Sequence, residues 1–196
     1  LNSFIAFNAT SGSKGDIDPD GQRGATMSWD EVCESVCPIA RSLSVVGDRW
    51  TLLILRELAM GSQRFDEIQA QTGMSSFLLS TRLKRLEKDG VIERRLYSER
   101  PPRFEYHTTE KGKDLDVVLL MLRAWEMKWG RGANEEPAVH MVHKRTKKVI
   151  DAAWRPSATG KPFSFDDVDS TVSPAFAAER EAKRMAFLAA RRGDDS

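Results

Sequence analysis

"SSFLLSTRLKRLEKDGVIERRLYSERPPRFEYHTT", Ser75–Thr109, carries a helix, its stop signal and a hairpin in one run. Leu79, Leu83 and Leu86 recur at helical spacing behind Ser75, and Gly90 ends the pattern. Val91–Ser98 and Arg103–Thr108 then read as two strands. Between them stands Arg100-Pro101-Pro102-Arg103. Ordinary tight tips use Asn-Gly or Asp-Gly, which reach positive φ. A Pro-Pro pair cannot do so and donates no ladder hydrogen bond, so the expected tip is longer and stiffer. A stiff projection carrying guanidinium groups suits a polyanion. A solvated loop with incidental charge is the alternative, and the neighbouring residues must decide.

Upstream, "RFDEIQAQT" places Phe65 and Ile68 inward on a short helix that ends at Gly73. Two short helices joined across Thr72–Ser75, followed by a two-stranded wing, make a winged helix-turn-helix. In that arrangement the second helix enters the DNA major groove and the wing touches backbone or minor groove. Opposite the leucine stripe of helix 75–89 lie Phe77, Ser80, Thr81 and Lys84, with Ser75 and Ser76 at its amino end. Hydroxyls and amide dipoles there suit phosphate and base-edge contacts. Phe77 reads either as a partner for thymine methyls or as packing against a neighbouring helix.

The full chain has a net charge of only +1, so its charge distribution matters more than its sum. Between Arg82 and Arg103 there are eight basic residues against four acids, which concentrates positive charge on the segment that would face DNA. Arg85 and Lys88 also fit ordinary helix-face charges, and Arg82, at the edge of the leucine stripe, can instead brace a nearby acid. With these neighbours, the tip reads as a wing aimed at phosphate or the minor groove.

Earlier segments follow the same helical logic. Asp48 is placed to cap a helix to about Met60, with Trp50, Leu53, Ile54 and Leu58 on one face. Pro38 opens a helix to Val46 that Gly47 ends, and Ser28-Trp29-Asp30-Glu31 has capping-box spacing for another. Residues 1–26, rich in Gly, Asp and Ser, read as a disordered leader or an appended remnant, with Met27 as a candidate start. Residues 27–132 form the expected DNA-binding domain with its dimerisation helices.

A long helix is expected from about Glu110 to Trp129. Leu115, Val118, Leu119, Leu122, Trp125 and Trp129 make one apolar stripe, and Val117, Leu120, Met121, Ala124 and Met127 a second. A helix apolar on two faces must be covered on both, and in so small a domain a second copy of the chain is the expected cover. Full burial within a monomer is the alternative. Residues 133–196 change character: short strands flank the turn-rich "RPSATGKP", and Ser173-Pro174 can cap a final charged helix. His140, His143 and Asp151 are conceivable metal ligands, but two histidines three apart on a strand point to opposite faces. The fold class is thus mainly α (α+β), a winged helix-turn-helix with a long dimerisation helix and a small β-rich C-terminal extension.

No apolar run approaches the ~20 residues of a membrane span. The opening "LNSFIAFNAT" lacks the charge and apolar core of a signal peptide, so a cytoplasmic location is expected. Two cysteines, Cys33 and Cys37, are too few for a disulfide framework or a four-thiolate zinc site. There is no Gly-rich phosphate loop, nucleophile elbow or HExxH, and no enzyme activity or cofactor is expected. Trp50, Trp125 and Trp129 could line a pocket for a small-molecule effector of unknown identity, or serve as core.

The runs "CPIARSLSVVGDRWTLLILREL", "RFDEI" and "LLSTRLKRLEKDGVIERRLYSERPPRFEYHTTEKG", with the closing "AW", resemble the HxlR-type winged-helix transcriptional regulators, relatives of the MarR group. The resemblance spans about Cys37 to Trp129. It implies a bacterial homodimer on inverted-repeat double-stranded DNA, with dimer contacts from the N-terminal helix and the long helix after the wing. It also implies groove contacts from Ser75 to Lys84 and wing contacts from Arg100 to Arg103. Some members carry a β-rich extension with paired cysteines, which this tail lacks. Cys37 corresponds to a cysteine that acts as a redox switch in some members. Amide N–H groups at a helix mouth would favour its thiolate, while a small packing residue in the dimer seam is the alternative. The expected function is a dimeric, sequence-specific repressor. The competing possibility is a winged-helix interaction module that binds a protein partner through its C-terminal extension.

Overall fold

The computed structural model describes residues 33–130, 136–151, 153–154 and 163–194. The expected leader, the capping box at Ser28 and the turn-rich 155–162 lie outside these residues. The chain divides into two units, one up to Ser44 and one from Val45 onward. In the first, α1 (Pro38–Val46, running into the second unit) begins where expected, and the Arg41 guanidinium donates to the Ser35 and Val36 carbonyls at 2.8 and 3.0 Å.

The second unit holds the winged helix. Asp48 caps α2 (Arg49–Ala59), its carboxylate accepting the N–H groups of Trp50 and Thr51 at 2.9 and 3.1 Å. α3 (Phe65–Thr72) opens with the Glu67 carboxylate accepting from the Gln63 and Arg64 amides, and it closes on Gly73 at φ +70°. Only glycine holds that left-handed conformation without Cβ strain. α4 (Ser76–Lys88) begins at Ser75, whose hydroxyl accepts the Leu78 N–H at 3.3 Å. Leu79, Leu83 and Leu86 are buried against Ile54, Leu55, Leu58 and Ile68, which fastens α4 to the two preceding helices. Burial of this stripe, rather than intrinsic propensity, stabilises so short a helix.

The wing is the antiparallel pair β1 (Ile92–Glu99) and β2 (Pro102–Thr108), with Ile92 opposite Thr108 and Glu99 opposite Pro102. Contrary to the expected long tip, only Arg100 and Pro101 lie outside the ladder. Pro102 takes the first position of its strand, where a missing N–H is tolerated. The register shifts at Tyr97, a bulge that absorbs one residue next to the tip.

The helix expected as continuous from Glu110 is broken into α5 (Glu110–Lys113) and α6 (Asp116–Trp129). Two non-local ties explain the break. A Cβ at Gly112 would lie 2.2 Å from the Val91 carbonyl oxygen, so α5 packs backbone to backbone on the wing root. The Asp116 carboxylate meanwhile accepts the Phe165 N–H at 2.9 Å and the Ser164 hydroxyl at 3.2 Å. Burial pushes the Asp116 carboxyl up, and those two hydrogen bonds partly oppose it.

The extension supplies β3 (Val139–His143) and β4 (Val168–Val172), paired antiparallel. Met141, Ile150, Phe163 and Val168 enclose Leu120 of α6, with Val117 and Met121 at the margin. The second apolar stripe is therefore covered from within the chain, not by a second copy. The first stripe is divided: Leu115 and Leu119 pack against the winged-helix core, whereas Val118, Leu122, Trp125 and Trp129 are exposed. α7 (Pro174–Asp194) follows, the Ser173 hydroxyl accepting the Phe176 N–H at 3.3 Å, and it packs along α3.

Candidate nucleic-acid interface

Burying one leucine stripe forces the opposite face of α4 outward. Phe77 is 83% exposed, and Thr81 and Lys84 follow at helical spacing, with Ser80 half-buried beside them. Among the described residues no helix covers the Phe77 ring. The hydroxyls are partly committed: Ser76 Oγ accepts from Gln69 Nε2 at 2.9 Å, and Thr81 Oγ1 donates to the Phe77 carbonyl at 2.9 Å. Ser75 is first of all the helix cap. Each oxygen retains a lone pair for a further contact.

Ion pairing sorts the basic cluster. Arg82 reaches Asp48 at 3.5 Å, so it braces the cap of α2, as its place at the stripe edge suggested. Arg85 pairs with Asp89 and Arg94 with Glu87, and Arg95 is held by Glu93. Among the described residues, Lys84, Lys88, Arg100 and Arg103 have no carboxylate partner. These four are exposed, two along α4 and two at the wing. Their charge is left to attract a polyanion directly, whereas a paired residue must first exchange its carboxylate for a phosphate.

The wing is fixed at its root. Tyr106 N–H donates to the Gln63 carbonyl at 2.8 Å, and Arg64 Nε meets Glu105 at 3.2 Å while its guanidinium lies 4.6 Å from the Tyr97 ring centroid. Arg94 stacks 4.3 Å from the Phe104 centroid, so the strand and α4 are joined through Arg94 and Glu87. Arg100 and Arg103 thus extend from a braced stem.

Comparison with known proteins follows this geometry. The HxlR-like helix-turn-helix family model matches residues 45–134. The HTH-type transcriptional regulator Rv3095 of Mycobacterium tuberculosis is 33% identical over 141 residues, 72% of this chain and 89% of the relative. The chain belongs to the HxlR-like helix-turn-helix family. It is a DNA-binding transcription regulator by that membership. YvaP of Bacillus subtilis, another HTH-type transcriptional regulator, is 41% identical over 96 residues, 48% of this chain and 89% of its own. The crystal structure of PA1607, assigned as a transcription factor, superposes with a TM-score of 0.55 at 30% identity, over 72% of this chain and 97% of its own. Likeness to Rv3095 extends beyond the family match, since 141 aligned residues exceed the span 45–134.

Within this HxlR-like chain the remaining candidates separate. Cys37 is exposed at the mouth of α1, its carbonyl accepting the Arg41 N–H, and Cys33 is exposed as well. His140 meets Glu136 at 3.1 Å, His143 Nδ1 accepts the Thr146 N–H, and Asp151 accepts the Ala153 and Trp154 amides. The three are engaged locally instead of converging on a cation. Trp50 packs against the winged-helix core, while Trp125 and Trp129 stay exposed. Among the described residues no helix is long and apolar enough to cross a membrane. Lys88 escaped the sequence reading as an interface residue, because only the pairing pattern separates it from Arg85. The tie between α2 and α7 was equally hidden: Glu57, fully buried, pairs with Arg180 at 2.7 Å.

Proposed function

We propose that this chain is a homodimeric, sequence-specific repressor in the cytoplasm that binds an inverted-repeat operator. Ser75, Ser76, Phe77, Ser80, Thr81 and Lys84, joined by Lys88, would read the major groove, and Arg100 and Arg103 would hold phosphate or minor groove. The observation that carries this is the set of unpaired, exposed cations on α4 and the wing beside the bare ring of Phe77. The exposed Val118, Leu122, Trp125 and Trp129 stripe supports dimerisation through the first face of α6. Selection of genomic fragments with the purified chain, followed by a salt titration, tests the proposal. Specific DNA should be enriched, and its affinity should fall steeply with salt. No enrichment would favour an interaction module acting through the extension. Cys37 is the position at which oxidation would act, and operator binding by the parent and Cys37→Ser before and after diamide reads that role.

A further inference from the structure

α7 is tied to the winged helix at two points. Arg180 pairs with buried Glu57 at 2.7 Å and donates to Ser62 Oγ at 3.1 Å, and its carbonyl accepts from Gln71 Nε2 at 3.0 Å. About three turns further on, Arg191 meets Asp66, in the first turn of α3, at 2.8 Å. Phe187 and Arg191 then form one wall of an open cleft of about 540 Å³ whose other wall includes Asp66, Gln69 and Ser76. Ser76 is the first residue of α4, so the carboxy end of α7 lies beside the amino end of the helix proposed to read DNA.

The charge on α7 is unevenly distributed. From Ala182 to Arg192 the sequence holds Lys183, Arg184, Arg191 and Arg192 and no acid, before Asp194 ends the helix. Lys183 and Arg184 are answered within the helix by Glu179 and Glu181. Arg191 and Arg192 are exposed on the last turn, and the Arg191–Asp66 pair is more than half exposed on both sides. A solvated pair of that kind is weak, so a phosphate can take Arg191 from Asp66 at little cost. Arginine also suits phosphate geometrically, through two parallel N–H donors.

We infer that the end of α7 is a further arm of the DNA interface, with Arg191 and Arg192 contacting backbone phosphates beside the amino end of α4. The inference rests on the DNA-binding role proposed above. DNA is favoured over an acidic peptide because the cleft that Arg191 lines also includes Ser76, the first residue of the helix proposed to read DNA.

The test compares the full-length parent, Arg191→Ala/Arg192→Ala and Asp66→Asn on one selected operator fragment across a salt series, with thermal melts to verify folding. Losing two phosphate contacts should reduce the slope of log affinity against log salt by roughly 1–2 and weaken low-salt binding about tenfold or more. Relative preference among operator variants should not change, because phosphates carry no base identity. Asp66→Asn keeps both arginines and releases Arg191, so its affinity should equal or exceed the parent's. A double variant that melts like the parent yet keeps its slope overturns the inference, as does one that binds more tightly. If the double variant melts early, a weakened Asp66→Asn would show that the clasp serves folding and overturn it too. Failure of the parent to enrich any DNA would instead remove the DNA-binding proposal itself, and this arm with it.

Discussion

Both hairpins are two antiparallel strands, yet they are stabilised in opposite ways. Along the wing only Ile92, at the root, is buried, and β2 has no buried residue. In the extension, Met141 and Val168 lie in a cluster with Phe163 and Leu120, Phe163 packing edge-on against Trp154 and Phe165 at 5.3 and 5.1 Å. A lone two-stranded hairpin is marginal in water. The extension gains stability from a core beneath its strands. The wing has no such core: hydrogen bonds and an ion pair hold its root, Arg64 lies over the Tyr97 ring further out, and Arg100 and Arg103 stay exposed at the tip to carry charge. Side chains there can vary for recognition without unfolding the domain.

That contrast can be broken most directly in the extension. Phe163→Ala should destabilise by about 3–5 kcal/mol by lost burial and cavity formation, read by denaturant unfolding. Leu96→Ala on the exposed wing should stay within about 0.5 kcal/mol. Similar losses at the two positions would mean that the hairpins are not differently supported.

The two faces of α6 sharpen the same distinction. Leu120→Glu would place a charge in the buried cluster and should unfold the extension. Leu122→Glu with Trp125→Glu, on the exposed face, should preserve the circular dichroism spectrum while halving the mass seen by light scattering. A dimer that survives the second pair would place the interface elsewhere. Operator affinity should fall when dimerisation is lost, because two recognition helices must reach major grooves ~34–36 Å apart.

Recognition should divide between α4 and the wing without affecting folding. Lys84→Ala should cost about 1–3 kcal/mol of discrimination at one base pair. Arg100→Ala with Arg103→Ala should lower affinity on most sequences and flatten the salt slope by about 0.9 per lost contact. Equal effects of the Lys84 and wing changes on operator and random DNA would show that α4 does not read bases.

The smallest expected effect concerns Asp116, which joins α6 to the extension. Burial raises its carboxyl above the unfolded value, so the folded chain holds this proton more tightly. The stability it contributes is therefore full below the unfolded pKa and is lost as pH rises through the folded one. Asp116→Asn should remove that part of the acid-side slope of unfolding free energy against pH. An unchanged slope would mean that Asp116 titrates alike in both states.

Local signals made much of this fold legible. Pro38, Asp48, Gly73 and Ser75 each act within a turn or two, and the helices begin and end where those residues direct. The leucine stripe also identified the inner face of α4, and with it the outer one. The misread features depended on distant partners. The break before α6 needs Val91 against Gly112 and Phe165 against Asp116, and the cover on Leu120 comes from Met141 and beyond. Two apolar stripes look alike in sequence, and only packing reveals which one the chain covers itself. In the candidate interface, residue type located the cluster, but ion pairing selected its free members.

Gly112 has a mechanical consequence. At this point the end of α4, the start of the wing and the start of α5 are clasped together. Thr109 Oγ1 donates to the Gly90 carbonyl at 2.7 Å, and the Thr109 N–H donates to that of Val91 at 3.1 Å. With no side chain at Gly112, the two backbones meet directly. The carboxy end of α4 is therefore geared to α5, and through the bonded turn at Leu115 to α6. Rotation of α6 would be transmitted like motion through a crank, turning the helix proposed to read DNA instead of loosening the wing.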